Sequence, residues 1–200
     1  SDGSELSAAQ IREGAERLAA ALTLGKSFTI ALPTHKTEEQ FATGTIDPVA
    51  TLPNQTDAQR NALLRKAIFA PSTYGRIRFH HRGTQEYLTA CWIRRLLNAN
   101  CPKSEVWQLL FADPYGVETV IPSLRPAAAW LSLWFKDVAA EVLQREPLTL
   151  IRSGDPASLP VKVKERLLEN YAKKNAAADI SNDGIDHRAI WLFSEPKLAA

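Results

Sequence analysis

The sequence predicts a mainly α-helical chain with a small sheet confined to its first part, and three observations carry that expectation. Apolar residues recur at helical intervals over most of the length. The short β-branched and aromatic runs fall before residue 82. After Gly83, prolines at 102, 114, 122, 147, 156 and 160 fall between or at the starts of helical stretches. With 200 residues and 45% hydrophobic content, the chain can bury one large core or two small ones.

The elements follow in order. Ser7 and Gln10 have capping-box spacing ahead of Ile11, Ala15, Leu18 and Leu22, so a helix starts near Ser7, and Gly25 is placed to stop it. "SFTIAL", Ser27 to Leu32, is a short strand, and the polar "PTHKTEEQFATGT" after it is a loop. Asp47-Pro48 starts a helical turn. "TDAQRNALLRKAIF" is a stronger helix, capped by Thr56 or Asp57, with Ala58, Ala62, Leu63 and Ala67 facing inward. In "AIFAPSTYGRIRFHH", Pro71, Ser72 and Gly75 supply turn chemistry between two extended runs, which makes a hairpin. Helix, strand, helical turn, helix, strand, turn, strand is the winged-helix order, assigned to residues 1–82 with a small antiparallel sheet.

Residues 83–200 form a helical arm, with helices at 84–99, 104–112, 123–135, 137–145 and 160–175 and a weaker one at 183–192. The pattern is least regular over 176–200. "EVWQ" at Glu105 returns as "EVLQ" at Glu141, 36 residues on, and "SLRP" at Ser123 returns as "SLPV" at Ser158, 35 residues on. Helix-pair repeats of the HEAT or TPR kind have such periods; an irregular helical bundle is the alternative. Trp107, Trp130 and Trp134 are assigned to the arm's core.

Composition excludes some functions. A net charge of +2 argues neither for nucleic acid nor for an acidic tail. The longest apolar run, "AAAWLSLWF", is about nine residues against the roughly 20 that a membrane span needs, and nothing resembles a signal peptide. Cys91 and Cys101 alone imply no disulfide framework, so a reducing cytoplasm is expected. The chain has no methionine and opens with "SDGSEL", which reads as a piece of a longer protein.

Candidate chemistry is sparse. "LGKS", Leu24 to Ser27, lacks the earlier glycine of a phosphate loop and runs helix to strand, the reverse of that motif. His80 and His81 are adjacent, so in a strand they point to opposite faces and do not share a zinc ion; Cys91 sits on a helix stripe with Leu88, Trp92 and Leu96 as a small hydrophobe. No G-x-S-x-G elbow, thiol–base pair or acid–base carboxylate pair stands out. "DISNDGIDHR" lacks the ligand order of a calcium loop. A nucleic-acid reading would use Gln59, Arg60, Arg65 and Lys66 on the third helix, with Tyr74, Arg76 and Arg78 on the wing. Glu38, Glu39 and Asp57 lie near these residues in sequence, so nucleic acid is not the expected partner.

The run Phe79-His80-His81-Arg82-Gly83-Thr84-Gln85-Glu86-Tyr87-Leu88-Thr89-Ala90 resembles the "F-x-H-x-x-x-Q-E-[FY]-x-A-A" signature of NACHT-type STAND ATPases. In those nucleotide-switched signalling proteins the signature joins the winged helix to the superhelical region. Two positions depart from it: Thr89 stands for the first alanine, and Gly83 stands where serine- or threonine-like residues are common. The resemblance implies a non-catalytic regulatory region of a bacterial signalling or anti-phage defence ATPase. ATP or ADP with Mg would be bound by the parent protein and none by this piece. It implies that His81 meets the phosphates of ADP, or else packs locally, and that Gln85 and Glu86, beside Phe79 and Tyr87, tie strand to helix. The implied partners are the nucleotide-binding domain of the same chain and a protein ligand, or a second copy, on the arm. The alternative is a winged-helix DNA-binding regulator using Arg60, Arg65, Lys66, Arg76 and Arg78.

Overall fold

The computed structural model describes residues 5–32 and 43–177. The chain is mainly helical with a small mixed sheet, and it divides into two compact units, Ser1–Cys101 and Pro102–Ala200.

In the first unit α1 (Ala8–Leu24) begins where the capping box requires: Ser7 Oγ accepts from the Gln10 N–H, and Gln10 Oε1 accepts from the Ser7 N–H. The helix stops at Gly25, but the left-handed residue is Lys26, at φ 50°. β1 (Thr29–Ala31) follows, then β2 (Thr45–Ile46), α2 (Pro48–Thr51), α3 (Asp57–Leu64), β3 (Phe69–Ser72), β4 (Arg76–Phe79) and α4 (Arg82–Asn98). The strands order as β2-β1-β4-β3. β1 runs parallel to β2 and antiparallel to β4, so the sheet is mixed, not antiparallel throughout. β2 lies at the end of the segment expected to be loop. Two β-branched residues with Gly44 before them suffice to pair with Thr29 and Ile30.

One face of the sheet buries Ile30, Ile77, Phe69 and Phe79 against Leu18 and Leu63. On α3 the buried residues are Arg60, Leu63 and Leu64, while Ala58 and Ala67 are exposed. Of the residues expected to face inward, Leu63 is buried and Ala62 half-buried; the large side chains set the face, because they gain more from leaving water.

The first compact unit runs to Cys101 and so takes in α4, which lies antiparallel along α1. Thr23 near the end of α1 meets Gln85 and Thr89 in the first half of α4, and Glu16 midway along α1 meets Arg95 near the end of α4.

The second unit contains α5 (Lys103–Leu110), β5 (Phe111–Ala112), β6 (Thr119–Val120), α6 (Arg125–Leu131), α7 (Lys136–Arg145), α8 (Thr149–Arg152) and α9 (Val161–Ala177). The β5–β6 hairpin and α8 were not foreseen; strands of two residues leave too little alternation to read. The helix expected over 123–135 is continuous only from Arg125 to Leu131. Trp107, Trp130 and Trp134 are half-buried, and the core is aliphatic, built on Leu110, Leu124, Ala128, Leu131, Val142 and Leu150. Alanines 127–129 keep α6 slim, so Gly154 (φ 71°) reaches its backbone; a Cβ there would sit 3.1 Å from Ala129. "DISNDGIDHR", the helix expected at 183–192, and Glu38 and Glu39 lie outside the described residues. Among the described residues no helix is long and apolar enough to cross a membrane.

Glu146, just past α7, holds the hairpin to α6. It receives Arg125 Nε and Nη2 at 2.9 and 2.6 Å and the Val120 N–H at 3.3 Å. Burial pushes this carboxyl up, but the Arg125 guanidinium and the Val120 N–H outweigh burial and hold it below its ordinary range. The folded state therefore binds that proton less tightly than the unfolded chain. Its stabilising contribution is complete above the ordinary glutamate range and is lost as pH falls through the lowered value. Glu146→Gln is expected to lower the urea midpoint at neutral pH and to converge on the parent chain in acid; a deficit equal at every pH would contradict this.

Candidate functional site

The twelve residues from Phe79 to Ala90 run from the end of β4 into α4, and the structure divides them into an inward set and an outward set. Phe79 is 5% exposed, its ring 4.8 Å from that of Phe69 in the core between sheet and helices. Thr89 and Ala90 are fully buried. His80, His81, Arg82 and Gly83 are exposed.

Gln85 belongs to a closed chain of hydrogen bonds that welds α4 to α1. Its Nε2 donates to Thr23 Oγ1 (3.1 Å), and Thr89 Oγ1 donates to the Gln85 carbonyl (2.9 Å). Thr89 having spent its proton there, Thr23 must donate to Thr89 Oγ1, at 3.0 Å. Each hydroxyl donates once and accepts once, the arrangement in which successive bonds polarise one another. The departure at position 89 from the alanine of the signature thus has a reason on the facing helix: the threonine hydroxyl is answered by Thr23. The Gly83 departure has none, since a Cβ there would meet nothing within 4 Å.

Glu86 makes an exposed ion pair with Arg82, 2.9 Å apart, one turn away on the same helix. Tyr87 is half-buried; its hydrogen bond to Cys91, the charge there and burial push the phenol up. Cys91 is 4% exposed and also meets Arg12 Nη2 at 3.9 Å. Arg12 in turn bonds Glu16 (3.0 Å), and Arg95 reaches the other oxygen of Glu16 at 3.0 Å from Nε and 2.7 Å from Nη2. Glu16 is only 2% exposed, a buried carboxylate with two guanidinium partners. The sequence reading missed this group. Its trace was there: Glu16 stands beside Ala15 on the apolar stripe of α1, with Arg12 one turn earlier.

His81 precedes the first turn of α4, its side chain making no capping bond and its carbonyl accepting from Thr84 (3.1 Å). The two histidine rings do not point to opposite faces. The chain leaves the sheet after Phe79, and the rings meet edge to face, 4.3 Å apart. Among the described residues no group of three or more His, Cys, Asp or Glu could hold a metal ion.

Of the residues named for nucleic acid, Arg60 is turned inward. It is 7% exposed; its guanidinium donates to the carbonyls of Leu52 (2.8 Å) and Gln55 and pairs with Asp57 at 2.7 Å. Gln59 completes the capping box of α3 with Thr56. Arg65, Lys66 and Arg78 are exposed, and Arg76 lies over the ring of Tyr74 at 5.5 Å. "LGKS" is the turn that ends α1, with Ser27 Oγ donating to the Gly25 carbonyl.

No family model matches the chain, and neither a curated protein nor a solved structure is similar to it at a significant level.

Proposed function

We propose that the chain is the regulatory and relay region of a nucleotide-switched bacterial ATPase of the NACHT type, a winged helix followed by the first helical repeats of an arm. The observation that carries this reading is the split within Phe79–Ala90. The residues that match the signature by bulk or amide, Phe79, Gln85 and Ala90, are used up in holding β4, α4 and α1 together. The matching histidine is left at the exposed start of α4.

Such an arrangement suits a latch on a rigid joint. A histidine can donate to a phosphate of ADP bound on the neighbouring nucleotide domain. Once nucleotide exchange breaks that contact, α1, the sheet and α4 move as one body. ATP or ADP with Mg belongs to the parent protein, and the work of this region is mechanical. The reading carries with it a cytoplasmic setting and a protein ligand or second copy on the arm.

Two features support the finer architecture. Helices α1–α3 with the β3–β4 hairpin have the composition of a winged helix. In the second unit, the echoing segments bury matching residues: Val106 on α5 and Val142 on α7, and Leu124 and Leu159 before α6 and α9. Recurrence at this spacing is what a helix-pair repeat predicts.

The test begins with the coding sequence before Ser1, which is expected to hold G-x-x-x-x-G-K-[ST] between a strand and a helix. Joined to that domain, the protein is expected to copurify with ADP. A reading frame without the motif, or a joined protein that retains no nucleotide, would overturn the proposal.

A further inference from the structure

A polar cleft between α1 and the α2–α3 segment plays no part in the relay reading. It has a volume of about 190 Å³ and is lined from α1 by Gln10, Glu13 and Arg17, and from the facing segment by Leu52, Gln55 and Gln59. Gly14 sets how the two walls meet. A glycine inside a helix is destabilising relative to alanine, yet a Cβ here would lie 2.6 Å from Leu63 Cδ2 and 3.0 Å from Gln55 Nε2. The bare backbone lets the Gln55 carboxamide lie against α1. There Gln55 Oε1 is buried and accepts no hydrogen bond among the described residues, a state that costs stability until something donates to it.

The glutamines of both capping boxes line the same cleft. Gln10 Oε1 is held by the Ser7 N–H at 2.9 Å, and Gln59 Oε1 by the Thr56 N–H at 3.0 Å. Each amide is thereby fixed with its oxygen in use, while its nitrogen donates to no described residue. Glu13 and Arg17 pair through one oxygen and one nitrogen, Oε1 to Nη2 at 2.9 Å. Both are half-exposed, so the pair itself is worth little. Glu13 Oε2 and the other guanidinium N–H groups stay open to a further partner.

We propose that this cleft binds a free α-amino acid, its ammonium group on Gln55 Oε1 and Glu13 and its carboxylate on Arg17 and the amide N–H groups of Gln10 and Gln59. Unused acceptors and unused donors share one small cavity, and a zwitterion needs both while bringing no net charge to the Glu13–Arg17 pair. Leu52 offers an apolar contact to its side chain. A phosphate would meet the Glu13 carboxylate with Arg17 alone to offset it. A sugar would use the amides, but no aromatic ring is among the residues that line the cleft. The site stands whether or not the relay reading does.

The test is an NMR titration of the full chain with each of the common free amino acids, with their N-acetyl amides, and with glucose and inorganic phosphate. At least one amino acid is expected to bind with a Kd below about 1 mM and to shift the side-chain NH2 signals of Gln10 and Gln59. Its N-acetyl amide, which lacks both charges, is expected to bind about tenfold more weakly or worse. Gln55→Met keeps the length of the side chain and removes the acceptor. It is expected to weaken binding about tenfold with the urea midpoint no lower than that of the parent chain, because the oxygen has no bond in the fold to lose. Arg17→Gln is expected to weaken binding by a similar factor. Lys136→Glu, on the exposed surface of the second unit, is the control and should change nothing. No binding by any amino acid, binding that leaves the Gln10 and Gln59 signals unmoved, or equal binding of the N-acetyl amide would overturn the proposal. So would tighter binding of glucose or phosphate, or a Gln55→Met chain that is less stable or binds as well as the parent.

Discussion

Replacing both Arg12 and Arg95 by alanine is expected to destabilise the first unit by about 3 kcal/mol or more. The two guanidiniums are partly exposed, at 60% and 47% of their side chains, and lose little by returning to water. The cost falls on Glu16, which is 2% exposed and would keep a carboxylate inside the α1–α4 interface with its strongest donors gone. Arg95→Ala alone leaves the Arg12 bond and should cost about 1–2 kcal/mol. Adding Glu16→Leu to the double variant is expected to restore most of the loss, since an apolar side chain of similar size needs no partner there. Urea midpoints of the single, double and triple variants check this. A double variant no worse than Arg95→Ala would mean that Glu16 is solvated in a way the structure does not describe.

Phe79→Ala is expected to cost about 3–5 kcal/mol, the range for emptying a buried aromatic site. Phe79→Leu should cost less than about 1.5 kcal/mol. Phe79 closes the sheet end of the core, its ring against that of Phe69. His81→Ala, two residues on, removes an exposed side chain with no capping bond and should move stability by no more than about 0.5 kcal/mol. The contrast separates the signature into a part retained for packing and a part open to another use. Equal effects at the two positions would erase that separation.

Much of the fold was legible in the chain because it rests on local chemistry. Ser7/Gln10 announced α1 by capping-box spacing, Thr56 or Asp57 marked the start of α3, and Pro71, Ser72 and Gly75 marked the hairpin. What could not be read depends on partners distant in sequence. The parallel pairing of Thr45–Ile46 with β1 has no local signal, and neither does the docking of α4 on α1, which brings α4 into the first compact unit. For the site, the position of the joint was legible and the use of individual residues less so. Arg60 reads as a surface arginine on a helix. Only the carbonyls of Leu52 and Gln55, turned toward it by the preceding loop, draw it inside. Thr89 reads as a blemish in a pattern until Thr23 is seen opposite.

The most direct measurement is the rate of ADP release from the protein that joins this chain to its nucleotide domain, with His81 intact and with His81→Ala. The latch account predicts release at least about tenfold faster in the variant, the loss of one charge-assisted hydrogen bond worth about 1.5–3 kcal/mol, with the unfolding midpoint unchanged. Release at the same rate in both proteins would contradict it and leave Phe79–Ala90 a structural joint alone.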